Sequence, residues 1–301
     1  MAVQPLTTPD ELTTRLLGPR DAPEAWRFLS RCGVRDVFVA SHVWRGALEQ
    51  RLSDGLPEFH GAFAGDRLRA LLFLGSGGLA LPAGGEARDA AALGPVLARR
   101  AGTLRALLGE RANVGALWPY AQAAGVWSRL DVIEKFMTAD ADTLDPEARE
   151  SELRAAVIED LELIARASAR AHLEEMGEDP MARNREAFLG RVARLIMEER
   201  IFVVRRGPTL VFKAELSALC PLGAQIAGVY TEPEFRNRGL ARRGTAEVAR
   251  RALGTAPAVC LFVRQDNAPA RRAYERGGFR YAGEARTMVF GDPPARPGSG
   301  G

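Results

Sequence analysis

The stretch EFRNRGLARRGT (Glu234–Thr245) stands where one hydrophobic period gives way to another. Before it, AQIAGVYT (224–231) alternates like a β-strand, and from Gly239 onward small and apolar residues recur at helical spacing. The twelve residues therefore join a predicted strand to a predicted helix, and four of them are arginines.

The start of this predicted helix has the properties of a phosphate site. The first N–H groups of a helix have no internal partner and carry the positive end of the helix dipole. Gly239 lets the backbone approach an anion, and Ala241 keeps the next turn thin. Because Arg236, Arg238 and Arg242 lie within reach as charged clamps, we expect a pyrophosphate to bind here.

The fourth arginine, Arg243, is expected on another face of the helix. At 100° per residue it falls beside Glu247, Arg250 and Arg251, with Glu247 four residues from both Arg243 and Arg251. The pattern predicts a solvated, mutually paired face that needs no role in nucleic-acid binding.

The periods on either side of this stretch predict a mixed sheet with helices on both faces. Two amphipathic helices come first, then three strands in an antiparallel meander, then helix, strand, helix and two short strands. The segments are DLELIARASARAHLEEMG, REAFLGRVARLIMEER, IFVVRR, TLVFKAELSAL, AQIAGVYT, GLARRGTAEVARRALG, AVCLFV, NAPARRAYERG, FRYAG and RTMVF.

Two motifs of the second half resemble the signature of the GNAT superfamily of acyl-CoA-dependent N-acyltransferases. RNRGLA (236–241) is similar to the family's R/Q-x-x-G-x-G/A, with alanine for the second glycine. NAPARRAYERGGF (267–279) is similar to its helix with asparagine, tyrosine and a closing G-F. The resemblance covers about residues 152–290 and implies the GNAT fold, a mixed α/β sheet.

The resemblance also implies acetyl-CoA as cosubstrate and no metal. The pantetheine arm would pair with the strand 224–231, and a backbone N–H near Tyr230 would hold the acetyl oxygen. The phenol of Tyr274, with a pKa near ~10, would protonate the departing thiolate. The expected cofactor-binding residues are Val229, Tyr230, Thr231, Arg236, Arg238, Gly239, Leu240, Ala241, Arg242 and Asn267. As structural alternatives, Asn267 is a helix N-cap and Tyr274 a core aromatic.

The acceptor amine must lose a proton before it attacks, so a base is required. We expect Glu215, which shares a strand face with Lys213, to act directly or through water; an ion pair between the two explains the pattern equally well. An acidic lip would attract a cationic amine, although a solvated helix end is the alternative. The lip consists of Glu174, Glu175, Glu178 and Asp179.

The first half repeats this order of elements, with helices predicted through SHVWRGALEQRL (41–52) and over ARDAAALGPVLARR (87–100). The spacing from Asn113 to Tyr120 also echoes that from Asn267 to Tyr274. LPAGGEARDA (81–90) has glycines before a helix but lacks the phosphate motif. We predict a degenerate GNAT-like copy that binds no CoA, giving two tandem domains, or else an unrelated α/β domain. The predicted divisions are a first domain at 1–140, a linker at 141–151, the acetyltransferase domain at 152–290 and a disordered tail at 291–301.

Composition narrows the class of protein. The 301 residues carry a net charge of only +3, with acidic and basic residues interspersed, so no nucleic-acid partner is expected. Cys32, Cys220 and Cys260 are dispersed and indicate free thiols, not a disulfide framework or a metal site. The first residues lack a signal-peptide core and no apolar run has bilayer length, which predicts a cytoplasmic protein that binds no membrane.

These observations predict an N-acetyltransferase. It would transfer an acetyl group from acetyl-CoA to a primary amine, on a small molecule or a peptide, by direct attack in a ternary complex. The alternative is a non-catalytic CoA-binding sensor or scaffold with the same fold. The chain would be a monomer or a homodimer.

Overall fold

The computed structural model describes residues 12–49 and 57–291. Its strands are β1 Thr13–Leu16, β2 Glu58–Ala64, β3 Arg67–Leu74, β4 Leu79–Ala83, β5 Ala106–Glu110, β6 Trp127–Ala139, β7 Arg154–Ala155, β8 Ile201–Arg206, β9 Thr209–Cys220, β10 Gly223–Thr231, β11 Val259–Arg264 and β12 Arg280–Gly291. Its α-helices are α1 Ala22–Cys32, α2 Val37–Trp44, α3 Ala87–Ala91, α4 Gly94–Arg99, α5 Arg111–Ala123, α6 Leu161–Met176, α7 Pro180–Met197, α8 Leu240–Ala252 and α9 Ala268–Arg276.

The described chain forms two compact units, and neither is a continuous stretch of sequence. The second unit consists of Gly33–Ser41 and Glu134–Gly283. The first consists of the described residues before, between and after these segments. The predicted tail lies outside the described residues, apart from Gly291 at the end of β12.

The sheet of the second unit begins with the predicted meander. Strands β8, β9 and β10 pair antiparallel, β10 pairs parallel with β11, and β11 pairs antiparallel with residues 134–139 of β6. Alternate residues of β8 face two different apolar clusters. Phe202 and Val204 pack with residues of α8 and α9, whereas Ile201 and Val203 pack with residues of α6 and α7. Helices therefore cover both faces, as the continuous apolar run of β8 predicts.

The sheet of the first unit has the same plan. Strands β1 to β4 pair antiparallel in order, β4 pairs parallel with β5, and β5 pairs antiparallel with residues 285–289 of β12. The parallel ladders also match in extent: Leu79 and Ala80 are joined to β5, and Ala224 and Gln225 to β11. Each unit is therefore a meander followed by a parallel pair and an antiparallel last strand.

The two halves of the sequence exchange their last strands. The carboxyl part of β6 completes the ladder next to β11, and the carboxyl part of β12 completes the ladder next to β5. The segment predicted as a linker, 141–151, is part of the second unit, where Leu144 and Ala148 are buried in its core. An acidic sequence resembled a linker because its few apolar side chains follow no regular period.

Three local expectations differ from the structure. The two short strands expected at the end of the second half are one strand, β12. The helix expected over ARDAAALGPVLARR (87–100) is two short helices, α3 and α4. The helix expected through SHVWRGALEQRL (41–52) ends at Trp44, and its last residues lie outside the described part. In the parts of the chain that the structure describes, no helix combines the length and apolarity that crossing a bilayer requires.

Candidate functional site

A cleft opens where β10 and β11 separate. The two parallel strands are joined only through Ala224 with Val259 and Gln225 with Cys260, although β10 continues to Thr231 and β11 to Arg264. The next α-helix after each strand is α8 after β10, beyond a 3-10 turn at Pro233–Phe235, and α9 after β11. Clefts at the carboxyl ends of parallel strands are common ligand sites, because helix N-termini lie beside them.

A β-bulge shapes the β10 side of this cleft. Gly228 and Val229 stand opposite the single residue Ala214, and neither has a partner in the register with β9. Gly228 adopts φ +54°, and a Cβ there would lie 2.9 Å from the Nζ of Lys213. The bulge takes the backbone of both residues out of the regular ladder. The bulge lies directly before Tyr230, near which the acetyl-binding N–H is expected from the sequence.

The helix start predicted at Gly239 is present. Gly239 is the N-cap residue of α8 with φ +76°, and Asn237 also has a positive φ, of 61°. A Cβ at Gly239 would lie 2.9 Å from Nη1 of Arg243, which donates a hydrogen bond to the carbonyl of Arg238 at 3.0 Å. Leu240 is buried and Ala241 half-buried at the first two helical positions. The loop therefore brings the backbone of Gly239 to the positive end of α8, with the guanidinium of Arg243 packed beside it.

The three predicted arginine clamps have different surroundings. Arg236 donates to the carbonyl of Thr231 at 3.0 Å and to both oxygens of Glu174 at 3.0 and 3.1 Å. The guanidinium of Arg238 lies 5.2 Å from the ring centre of Phe235.

Arg242 is turned toward the protein. Its guanidinium pairs with Asp145 and donates to the carbonyl of Arg276 at 3.1 Å. Of the three, Arg242 is the one whose predicted role as a phosphate clamp the geometry does not favour. The spacing in the sequence placed Arg242 in the first turn of the helix, but it could not show which partners hold the side chain.

The helix face predicted to be solvated and self-paired does contain the predicted pair of Arg251 with Glu247, at 3.7 Å, but it also has long-range partners. Arg243 pairs with the buried Glu150 at 2.9 Å, and Arg251 donates to the carbonyl of Leu153 at 2.6 Å. Arg250 does pair with Glu247, at 2.6 Å, but it also donates to the carbonyl of Asp145 at 3.0 Å. These arginines hold the segment before β7 against α8. When the segment packs against the helix its backbone carbonyls lose water, and the guanidinium groups supply the hydrogen-bond donors that the carbonyls then need.

Asn267 and Tyr274 lie on α9 as the motif predicts. The side chain of Asn267 accepts a hydrogen bond from the N–H of Ala270 at 3.1 Å and so caps the helix. Tyr274 is buried, with its ring centre 6.2 Å from that of Phe279. Burial raises the pKa of the Tyr274 phenol, and the negative charge of Glu175 adds to the rise. Both structural alternatives, N-cap and core aromatic, are therefore true, and the phenol stays protonated at neutral pH.

Glu215, the predicted base, is held in a buried ion pair. Its Oε2 lies 3.8 Å from Nζ of Lys213, and its Oε1 lies 3.4 Å from Nη1 of Arg191. Burial acts to raise the pKa of Glu215, but the two cations outweigh it and the pKa is lowered. Burial lowers the pKa of Lys213. A carboxylate between two cations binds a proton weakly, so the ion-pair alternative is favoured and the role as base is not.

The predicted acidic lip divides into groups with separate roles. Glu174 pairs with Arg236, and Asp179 caps α7 by accepting from the N–H of Met181 at 2.8 Å. Glu175 is exposed, yet the protein around it acts to exclude water from the carboxylate and raises its pKa, and the charge of Glu134 adds to the rise. Sequence reasoning included Glu175 only as one acid among four. No motif singles it out, because its neighbours come from distant strands.

The first unit lacks the candidate site residues that the second unit has at the corresponding helices. Helix α3 has five residues against thirteen in α8, and Asp89 in its first turn is buried and paired with Arg69 at 3.3 Å. The predicted correspondence of Asn113 and Tyr120 with Asn267 and Tyr274 is wrong, because the two pairs stand at different positions in their helices. Asn113 donates to the carbonyl of Gly84 at 3.1 Å, and Tyr120 is exposed.

The true counterparts of Tyr274 in α5 follow from the helix ends. Tyr274 lies seven residues after the N-cap of α9 and four residues before Gly278. The residue seven after the N-cap of α5 is Leu117, and the residue four before Gly125 is Ala121. Both are fully buried and neither carries a phenol. The first unit therefore has no tyrosine at the position of the predicted acid. Within 12–49 and 57–291, no group of three or more His, Cys, Asp or Glu side chains is arranged to hold a metal ion.

Comparisons with known proteins concern the fold of the chain. Residues 214–289 match the family model described as FR47-like protein. No curated protein matches the chain.

Solved structures match over almost the whole chain. A GCN5-related N-acetyltransferase from Sphaerobacter thermophilus has a TM-score of 0.57 at 18% identity, covering 94% of this chain and 96% of that one. A tandem GNAT protein from the clavulanic acid biosynthesis pathway has a TM-score of 0.54 at 14% identity, covering 95% and 100%. A Drosophila protein has a TM-score of 0.67 at 14% identity, covering 92% and 98%. At these identities the likeness shows the fold, which is the GNAT fold, and the predicted fold and resemblance are confirmed.

Proposed function

We propose that this chain, whose fold is that of the GNAT N-acyltransferases, transfers an acetyl group from acetyl-CoA to a primary amine in its second unit. The observation that supports this most is the cleft between β10 and β11, with the start of α8 on one side and the buried Tyr274 on the other. Among the described residues, only the second unit combines a bulge in the first strand of the parallel pair, a long helix after that strand and a buried tyrosine on the next helix. The first unit serves as a structural partner that binds no CoA.

The α8 start suits the pyrophosphate of the cosubstrate. Gly239 has no Cβ, and the left-handed conformation of Asn237 and Gly239 turns the loop into the first turn of α8. The N–H groups of Gly239, Leu240 and Ala241 supply donors at the positive end of the helix dipole. Arg238, whose side chain stacks on Phe235, adds positive charge. Arg236 holds the end of β10 and completes the positive rim.

The bulge suits the pantetheine and the thioester. Gly228 and Val229 are out of register with β9, so their backbone is available to an extended arm that lies beside β10. A backbone N–H between Val229 and Thr231 would polarise the thioester carbonyl and stabilise the oxyanion of the tetrahedral intermediate. The cap residue Asn267 would contact the arm from the α9 side.

Tyr274 supplies the proton for the leaving group. The amine nitrogen attacks the thioester carbon, and the tetrahedral intermediate collapses as the C–S bond breaks. The phenol then donates its proton to the CoA thiolate. Burial and Glu175 raise the pKa of this phenol, so it remains protonated throughout the neutral range, and it is a weaker acid than the CoA thiol whose thiolate it protonates. The acceptor is an amine of a small molecule or a peptide.

The test has two measurements on the full chain. Calorimetry with acetyl-CoA reports binding, and release of free CoA thiol reports turnover with putrescine, glucosamine and a tetrapeptide with a free N-terminus. We expect binding together with amine-dependent release of CoA. Binding without release for every amine would contradict the enzyme and favour the alternative, a CoA-binding sensor. Absence of binding would contradict both.

A further inference from the structure

We propose that the ammonium of Lys213 donates a hydrogen bond to the thioester oxygen of acetyl-CoA and stabilises the oxyanion that forms there when the acceptor amine attacks. This inference rests on the proposed acetyl transfer and deepens it, because it adds a cationic side chain to the backbone N–H expected near Tyr230. It also assigns a role to a residue that the sequence indicated only as the partner of Glu215.

The Nζ of Lys213 lies over the bulge of β10. Lys213 stands opposite Tyr230 in the register of β9 with β10, so the two side chains begin on the same face of the sheet. From there the lysine extends to Gly228, where a Cβ would lie 2.9 Å from Nζ. The glycine leaves the space above its backbone open, and the ammonium fills it. The ammonium therefore borders the segment beside which the thioester is proposed to bind.

This buried ammonium has hydrogen-bonding capacity that its ion pair leaves unused. Lys213 is 1% exposed, and its pair with Glu215 spans 3.8 Å from Nζ to Oε2, which is longer than a hydrogen bond. Oε2 itself is buried with no hydrogen-bond partner among the described residues. An ammonium carries three N–H donors, and a buried donor that stays unsatisfied is costly. Such a donor beside a cleft indicates an acceptor atom on the ligand, and the thioester oxygen is one.

Lysine is a rare choice of cation in this chain. Lys135 and Lys213 are its only lysines among 41 basic residues. Arginine would bring a planar fork of five N–H donors, whereas lysine is a compact charge on a flexible stem. The smaller cation therefore stands at the bulge, where Nζ lies close to the backbone of Gly228 and has to direct one N–H at one oxygen.

The charged groups around Lys213 favour its ammonium form. Burial lowers the pKa of Lys213, and the charge of Glu215 opposes the fall. The charges of Arg191 and Glu175 act more weakly and in opposite directions. In a site with little water, a cation interacts strongly with a charge that develops beside it. Because the oxyanion is charged and the ground-state carbonyl is not, Lys213 acts mainly on kcat.

The step balances without a change at the lysine. The acceptor ammonium first loses one proton to water. Its nitrogen then attacks the thioester carbon, the C–N bond forms, and the π electrons of the carbonyl move to the oxygen, which accepts hydrogen bonds from Nζ of Lys213 and from the backbone N–H. When the C=O bond re-forms, the C–S bond breaks, Tyr274 protonates the thiolate and the second proton of the nitrogen goes to the phenolate. The products are the amide, CoA thiol and one proton.

This hydrogen bond can be measured without an acceptor. Infrared difference spectra of the full chain with acetyl-CoA that carries an isotopically labelled carbonyl report the thioester C=O stretch, which falls in wavenumber when the oxygen accepts a hydrogen bond. We expect a lower wavenumber for bound than for free acetyl-CoA in the wild type. The drop should be smaller in Lys213→Met, which keeps the length of the side chain and removes its charge.

Kinetics with the best amine of the panel measure the effect on turnover. We expect kcat of Lys213→Met to fall by about 100-fold while the KM for acetyl-CoA changes little, as for the loss of one oxyanion donor. Because Lys213→Met leaves the buried Glu215 without one of its cations, the double variant Lys213→Met/Glu215→Gln removes both charges of the pair. It should show the same smaller infrared drop and the same loss of kcat.

Lys135→Met is the matched control, because Lys135 is the other lysine of the chain and lies on the opposite face of the sheet. Its partner on β11, Val263, packs in the cluster with α8 and α9. The partner of Lys213 on β8, Val203, packs in the cluster with α6 and α7. Lys135→Met should keep the wild-type wavenumber and kcat.

The inference is overturned if the bound thioester has the same wavenumber in the wild type and in Lys213→Met, if kcat stays within threefold of wild type, or if acetyl-CoA binding falls as much as kcat. Each of these leaves the proposed acetyl transfer standing. A wild type that binds acetyl-CoA at a lowered wavenumber but releases no CoA with any amine overturns the acetyl transfer and leaves the hydrogen bond.

Discussion

Arg243 of α8 lies 2.9 Å from the buried carboxylate of Glu150, a residue 93 positions earlier in the chain. The same guanidinium donates to the carbonyl of Arg238 in the loop that leads into α8. One side chain therefore holds both the segment before β7 and the proposed phosphate loop. Its position in an arginine-rich stretch gave no indication of this role.

Removing this arginine should destabilise the second unit. We expect Arg243→Ala to lower the free energy of unfolding by about 2 kcal/mol, because Glu150 is left buried without its cation, and the partial exposure of Arg243 keeps the cost below that of a fully buried pair. Urea denaturation measures this. Arg238→Ala, in the same loop, should cost under about 0.5 kcal/mol. If Glu150→Gln in the Arg243→Ala background restores none of the loss, the unpaired charge is not its cause.

The bulge at Gly228 should not tolerate a side chain. We expect Gly228→Ala to destabilise the protein by about 1–3 kcal/mol, because the new methyl group would press on Lys213 and Glu215 and because φ is positive there. The control is Gly190→Ala in α7, where nothing lies within 4 Å of the added Cβ and where alanine should stabilise by about 0.5–1 kcal/mol. Thermal unfolding distinguishes the two. Equal effects at both positions would contradict the crowding at the bulge.

The role of Tyr274 is separable from its packing. Phenylalanine fills the same space and lacks only the hydroxyl, so Tyr274→Phe should fold and bind acetyl-CoA like the wild type. We expect kcat to fall by about 100-fold, as for loss of a general acid. Stopped assays of CoA release at saturating acetyl-CoA measure this. An unchanged kcat would show that another group, or water, protonates the thiolate.

The acid limit of stability should depend on Asp160. Burial acts to raise its pKa, but hydrogen bonds from Arg154 at 2.6 Å, the N–H of Val157 and Arg205 outweigh burial and lower it from 3.8 to about 2. Because the folded pKa lies below the unfolded one, this contribution is complete above about pH 4 and is lost as the pH falls toward 2.

Asp160→Asn should therefore cost about 2 kcal/mol at pH 7, and the difference from wild type should shrink between pH 4 and pH 2. Urea unfolding at a series of pH values measures both. The exposed Asp66→Asn is the control and should change little at any pH. A cost for Asp160→Asn that is the same at pH 3 and pH 7 would mean that the ionised carboxylate is not its source.

The exchanged strand predicts the behaviour of truncated chains. A fragment of residues 134–291 keeps the ladder of β6 with β11 and the contact of Phe136 with Phe262, whose ring centres lie 5.2 Å apart. A fragment of 152–291 lacks both and leaves β11 with an unpaired edge. We expect the longer fragment to unfold at the higher temperature in calorimetry. Equal melting temperatures would show that residues 134–151 add nothing to the second unit.

Local patterns of the sequence predicted much of the secondary structure of the second unit. The change from strand period to helix period around Gly239 located the meander, the start of α8 and the order of the elements, because hydrophobic periodicity and helix capping depend on residues close in the chain. The motif residues Asn267 and Tyr274 likewise lie on one helix, so their shared face follows from helical geometry alone.

Only the tertiary structure showed the surroundings of the charged side chains and which strand is the last in the sheet of each unit. The sequence could pair Glu215 with Lys213 but could not show that both are buried, or that Arg191 joins them from α7. It could list Glu175 among four acids, but the groups that tune it come from three different strands and a helix. It also assigned each last strand to its own half, because nothing local distinguishes one antiparallel edge from another. Periodicity and capping are set within a few residues, whereas the environment of a charge and the partner of a strand exist only once distant segments pack together.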